Sequence, residues 1–166
     1  MATKAVIPVE EYLRTSFEGP DREFVDGEVV ERNAGENPHS AAQARLIELF
    51  YELRRKYPLY SLPELRLKLS ARRYRIPDLA VFAGEQPAED VPSSPPLIVV
   101  EIVSRDDRYT DVIKKLEEYH GWGVAHVWLV DPWMRKLYVY TGAGLSEVAA
   151  FEIPEHNARI RMDDVF

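Results

Sequence analysis

The sequence predicts an α/β fold, with a mixed central β-sheet flanked by helices. Three observations predict it. Residues 76–82 and 97–103 are short, almost wholly apolar runs, the pattern of strands buried on both faces. A segment of helical periodicity, about 107–120, separates the second run from a third at 125–130, which is the order of a βαβ unit. Near the N-terminus, Asp26-Gly27 sits between two strand-like segments and marks an antiparallel hairpin.

Each element follows in order. Residues 9–15 read as a short helix. Residues 22–31 form the hairpin, because Asp-Gly supplies the two positive-φ positions of a type I′ turn; Glu23 then shares a face with Val25. Asn37 reads as an N-cap with Pro38 at the first helical position. The helix that follows carries Leu46, Leu49, Phe50 and Leu53 on one stripe and ends before Pro58. Residues 59–69 and 74–82 read as two long antiparallel strands joined by a turn at 70–73. Residues 84–96 hold Pro87, Pro92, Pro95, Pro96 and several acids, a surface loop rather than a linker, since an apolar strand resumes at once. The strand 97–103, the helix 107–120 and the strand 125–130 should pair in parallel through a right-handed crossover. Asp131-Pro132 stops that strand, 136–141 forms another, 142–144 a turn, and the tail adds one or two short strands. The expected organisation is one domain over 1–166: helix and hairpin in 1–35, the core in 36–141, accessory strands in 142–166.

Composition narrows the function classes. A chain of 166 residues, 46% hydrophobic and 30% charged, can bury a sizeable core and is not of disordered type. No apolar stretch approaches the roughly 18 residues of a membrane span, so no membrane partner is expected. The start, Met1-Ala2-Thr3-Lys4, lacks the apolar core of a signal peptide, which points to the cytoplasm. The absence of cysteine excludes disulfides and thiolate metal sites. A net charge of -7 argues against a nucleic-acid coat protein. Arg66, Lys68, Arg72, Arg73 and Arg75 nevertheless crowd the segment before Asp78. They form either a local basic rim suited to DNA or a solvated strand edge.

The chemistry concentrates on Asp78 and Glu101. Each is a carboxylate inside an apolar run, where an unpartnered charge is costly. Neighbouring strands can bring both to one sheet edge, and two carboxylates with waters form a common Mg²⁺ or Mn²⁺ site. The other reading is a salt bridge to an arginine such as Arg75. Two close carboxylates without a cation should raise one pKa. On the helix wheel of 107–120, Val112, Leu116 and Tyr119 define the buried stripe. Lys115 falls at its flank and can reach the sheet edge, while Lys114 points to solvent. Asp111, one turn earlier, can pair with Lys115. Glu23 is a third inward acid, able to bind metal through water or to remain an edge-strand glutamate. His39 can contact phosphate or act as a base, or else cap its helix or sit at the surface. Ser104 lacks a base and is not a nucleophile. Trp128, Trp133, Tyr138 and Tyr140 suit packing on the far sheet or a dimer contact.

These pieces, in order, resemble a known family. They are Arg22-Glu23-Phe24-Val25-Asp26-Gly27-Glu28, Pro38-His39, Ile76-Pro77-Asp78-Leu79-Ala80-Val81, and Val100-Glu101-Ile102-Val103-Ser104. Asp111 with Lys115 and Tyr119 follows, and then Val127-Trp128-Leu129-Val130-Asp131-Pro132. The chain is similar to the Uma-two restriction endonucleases of the PD-(D/E)XK nuclease superfamily. The resemblance implies a restriction-endonuclease-like core and a metal-dependent endonuclease acting on DNA. Asp78 and Glu101 would be its metal ligands and the Ile102 carbonyl a further one. The superfamily's lysine, two residues after the second acid, is replaced here by Val103; the resemblance moves that role to Lys115. Glu23 would assist the metal shell, and His39, Arg73 and Arg75 would approach the substrate. Mg²⁺ or Mn²⁺ is the expected cofactor, and a homodimer the expected assembly, since two sites cut two strands. The alternative is a catalytically inactive nuclease fold that binds DNA or a protein.

Overall fold

The computed structural model describes residues 6–166; the Met1–Lys4 start lies outside the described residues. The mixed α/β architecture is as expected. Helix α1 (Val9–Arg14) precedes the hairpin β1 (Arg22–Val25) and β2 (Glu28–Glu31). Asp26 and Gly27 adopt φ of 52° and 96°, the two left-handed positions of the expected turn. Helix α2 (Asn37–Arg54) starts one residue earlier than predicted: Glu36 is the N-cap, without a side-chain capping bond, and Asn37 is already helical. Its Ala42, Leu46 and Phe50 are buried, and Leu49 and Leu53 flank them.

The predicted long strands 59–69 and 74–82 each break in two. They give β3 (Leu59–Pro63) and β4 (Leu67–Ser70), then β5 (Arg73–Arg75) and β6 (Leu79–Ala83). The ribbon stays antiparallel, β3 with β6 and β4 with β5, but its two ends enter different sheets. Glu64 turns left-handed at φ 51° in one strand, and Pro77, which offers no N–H to a ladder, interrupts the other. The periodicity of the apolar residues continues across both breaks, so the sequence reads as two unbroken strands.

β7 (Ile98–Ile102), α3 (Tyr109–Trp122) and β8 (His126–Asp131) form the βαβ unit, and β7 and β8 pair in parallel. Gly123 ends α3 in the left-handed conformation at φ 112°, a glycine C-cap. β9 (Lys136–Thr141) and β10 (Gly144–Val148) complete a six-stranded sheet, ordered β10-β9-β8-β7-β6-β3. A four-stranded sheet, β2-β1-β5-β4, is joined to it through the shared ribbon. Alternate residues of the central strands pack on opposite sides. Leu79, Val81, Val100 and Trp128 meet α2, while Ala80, Val99, Val127 and Leu129 meet Leu116 and Tyr119 of α3.

The tail holds more structure than one or two strands. After β10 come β11 (Ala150–Ile153), β12 (Ala158–Arg161) and a last helical turn, α4 (Met162–Val165). It is also part of the core: Phe151, Ile153 and Ile160 are buried, and Phe151 stacks flat on Trp128 at 4.2 Å. Trp128 is therefore an interior residue, not a contact surface. Trp133 is partly exposed, beneath the Arg105 guanidinium.

Candidate active site

The break in the ribbon places Asp78 where the two sheets part. β6 pairs with β7 through Leu79↔Val100; continued one step, that register sets Asp78 opposite Glu101. Both acids are buried. Asp78 Oδ2 accepts a hydrogen bond from the Ile102 amide at 2.6 Å. Its Oδ1 accepts one from Arg32 Nη2 at 2.7 Å and faces His39 Nε2 at 3.2 Å. Gln43 of α2 donates to the Asp78 carbonyl at 3.0 Å. Glu101 Oε1 accepts from the buried Tyr119 hydroxyl at 2.8 Å.

The two acids differ electrostatically. Burial opposes ionisation of Asp78, but the His39 hydrogen bond and the Arg32 charge outweigh it and hold the carboxyl below its usual range. Burial pushes Glu101 up to about 7; Asp78 and Glu23 add to the shift and Lys115 opposes it. The rise expected of one carboxylate falls on Glu101, and desolvation is its main cause rather than repulsion.

Glu23 is fully engaged. Its carboxylate meets Arg75 Nη1 at 2.9 Å, the Ile76 amide at 3.0 Å and Lys115 Nζ at 3.4 Å. Burial disfavours the Lys115 ammonium, yet Glu101 and Glu23 together raise its pKa, so it stays charged at neutral pH. Lys115 thus reaches the site as the wheel predicted, with Glu23 rather than Asp111 as its ion-pair partner; Lys114 is exposed. The salt bridge from Asp78 to an arginine is present, but its partner is Arg32; Glu23 and Glu118 hold Arg75, the latter at 2.8 Å. Arg73 pairs with Asp26 at 2.6 Å and stands 3.5 Å from Glu118. Ser104 lies in the turn after β7, its amide bonded to Asp107.

Asp78, Glu101, Ile102, His39, Lys115 and Arg32 line one cavity of about 30 Å³, room for a single small ion or water. A cleft of about 370 Å³ shares Arg32 and Lys115 with it and also holds Glu23 and Arg75. Among the described residues, no three His, Asp or Glu side chains are grouped to hold a metal ion. The donor set still suits one: two carboxylates on a shared ion-sized cavity, where hard oxygen ligands favour Mg²⁺ or Mn²⁺. Glu101, costly to ionise where it lies, is the group a cation would relieve.

Sequence reasoning missed Arg32 and Tyr119. Tyr119 stands in the buried stripe and among the residues of the family resemblance, but its hydroxyl bond to Glu101 is not legible there, although the residue lies one turn from Lys115 and so reaches the same sheet end. Arg32 follows a strand end directly, and nothing in its local pattern gives its target, which is 46 positions away.

Among curated proteins, none matches the chain. A solved structure described as a "putative nuclease belonging to DUF820", from Anabaena variabilis, superposes with a TM-score of 0.83 at 20% identity. The match covers 96% of this chain and 97% of that one, and it shows a shared fold. Among the described residues, no helix is long and apolar enough to cross a membrane. The model of the Uma2 family, described as "Putative restriction endonuclease", matches residues 9–166. With the match running from the first helix to the last, the chain belongs to the Uma2 family.

Proposed function

We propose that the chain is a Mg²⁺- or Mn²⁺-dependent endonuclease that hydrolyses phosphodiester bonds in DNA. One observation carries the reading: two buried carboxylates, Asp78 just before β6 and Glu101 within β7, open onto a single ion-sized cavity beside a charged lysine. Asp78, Glu101 and the Ile102 carbonyl would hold the cation. When bound, it would polarise the phosphoryl oxygen and acidify a water.

The chain's own residues do the rest. Lys115 stays an ammonium, so it donates hydrogen bonds to the attacking water or the phosphate and offsets developing negative charge. Glu23 acts through Lys115 and Arg75: it orients both and touches no substrate. Tyr119 fixes the Glu101 carboxylate. The cleft beside the cavity mixes acids such as Glu31, Asp106 and Asp111 with Arg32, Lys114 and Lys115, and the phosphate backbone would lie along those three cations. Water oxygen attacks phosphorus, one ester P–O bond breaks, and a phosphate monoester and a hydroxyl remain. Two copies acting as a homodimer would cut both strands. The test is nicking of supercoiled plasmid with Mn²⁺ by the wild type and by Asp78→Asn. Nicking confined to the wild type supports the reading, and equal nicking by both refutes it.

A second reading is favoured by one contact set. Arg32, His39 and the Ile102 amide satisfy Asp78 without any cation. A non-catalytic module that binds DNA or a protein would retain such a network. Duplex binding by the wild type that needs no divalent ion, with no cleavage under any cation, would select it.

A further inference from the structure

The two oxygens of Asp78 have unlike partners. Oδ2 is tied to the backbone amide of Ile102, within the strand frame. Oδ1 faces two side chains, the Arg32 guanidinium and the His39 imidazole. His39 is buried in the first turn of α2. Arg32 is the residue just after β2, and its Nη2 lies 2.7 Å from Oδ1. Its other terminal nitrogen, Nη1, stands 3.7 Å from Asp21 and 3.9 Å from Glu64. The guanidinium also lines both the 30 Å³ cavity and the larger cleft. It therefore has other carboxylates to lean on and open space to turn into.

We propose that Arg32 and the divalent cation exchange at Asp78 Oδ1, and that the displaced guanidinium then binds a substrate phosphate in the cleft. This rests on the reading of Asp78 as a cation ligand. A divalent ion coordinates carboxylate oxygen at about 2.1 Å. A guanidinium hydrogen-bonded to the same atom would be held against a like charge with little water between them. Arg32 must then leave Oδ1 or weaken the ion. Its planar fork matches phosphate oxygens, which makes phosphate a natural destination. Coupling is reciprocal: a phosphate that captures Arg32 strengthens cation binding, and the cation frees Arg32 for phosphate. Arg32 is thus both a competitor at the ligand and a substrate contact.

The experiment is calorimetric titration of Mn²⁺ into the wild type, Arg32→Gln, Arg32→Lys and Asp78→Asn, each checked for its fold by circular dichroism. It is run with and without a short DNA duplex. Without DNA, Arg32→Gln should bind Mn²⁺ about tenfold more tightly than the wild type, and Arg32→Lys should fall between them. The duplex should tighten Mn²⁺ binding to the wild type, and far less in Arg32→Gln. If the wild type binds Mn²⁺, Asp78→Asn does not, and Arg32→Gln binds no tighter, the exchange is wrong and the cation site stands. If no protein binds Mn²⁺ with or without duplex, the cation site fails and the exchange fails with it. Should Arg32→Gln not fold, the same comparison is read from Arg32→Lys, and unchanged Mn²⁺ affinity there overturns the proposal.

Discussion

Replacing Glu101 by glutamine should change the pH dependence of stability more than stability itself. Glu101 is buried, and burial raises its carboxyl from the ordinary 4.5 to about 7. The folded state therefore binds this proton more tightly than the unfolded chain does. That contribution is complete below about pH 4.5 and is lost as pH rises through about 7. The full difference is about 3 kcal/mol, of which roughly 2–3 kcal/mol disappears between about pH 5 and pH 8.5. For a chain of this size, that is a fall in Tm of roughly 5–10 °C. Glutamine keeps the shape, and its amide oxygen can still accept the Tyr119 hydrogen bond, but it does not titrate. Thermal unfolding of wild type and Glu101→Gln in EDTA isolates the effect, because Lys115 and Tyr119, which feel the Glu101 charge, have their pKa raised above the ordinary 10.5 and 10.0 and do not titrate in this range. The Tm of the variant should pull ahead of the wild type by roughly 5–10 °C on going from about pH 5 to pH 8.5. A gap that stays constant across that range would refute the argument that desolvation of Glu101 strains the fold. Mn²⁺ should narrow the gap by stabilising the ionised wild type.

Other outcomes follow from named contacts. Asp78→Asn should abolish both calorimetric Mn²⁺ binding and plasmid nicking while far-ultraviolet circular dichroism stays unchanged. Lys115→Ala should lower the single-turnover cleavage rate by more than tenfold with little change in Mn²⁺ affinity; the reverse pattern would reassign Lys115 to cation control. Glu23→Ala should leave the buried Arg75 and the Lys115 ammonium short of a partner and cost about 3–5 kcal/mol in urea unfolding, since one member of a buried charge network is removed. Phe151→Ala should cost about 3–5 kcal/mol and change Trp128 fluorescence, because the two rings stack in the core.

The pairing of Asp78 with Glu101 could be read from sequence because each acid sits in a strand so apolar that its presence demands an explanation. Lys115 could be read because a helix wheel fixes direction within one element. What the sequence hid depends on long-range geometry. The apolar period of residues 59–69 and 74–82 runs through both breaks, so only the left-handed Glu64 and the donor-less Pro77 reveal that the ribbon changes sheets. Arg32 finds Asp78 across 46 positions, and Arg75 finds Glu23 across 52. Such pairings are decided by where strands land, and no local pattern encodes them. The burial of Phe151 and Ile153 is illegible for a related reason: a four-residue strand carries too few alternations to declare a buried face.

The divided ribbon has a consequence for how the site can vary among relatives. Glu23 and Arg75 ride on the smaller sheet, Asp78 and Glu101 belong to the frame of the larger one, and Lys115 is joined to both by charge. The smaller sheet behaves as a tool-holder bolted to a fixed bench. Reshaping the β1–β2 hairpin, whose Val25, Val30 and Glu31 line the cleft, alters what the cleft presents to a substrate without shifting Asp78 or Glu101. Substrate preference and chemistry can then diverge separately, and the swing of Arg32 at Asp78 marks the joint between them.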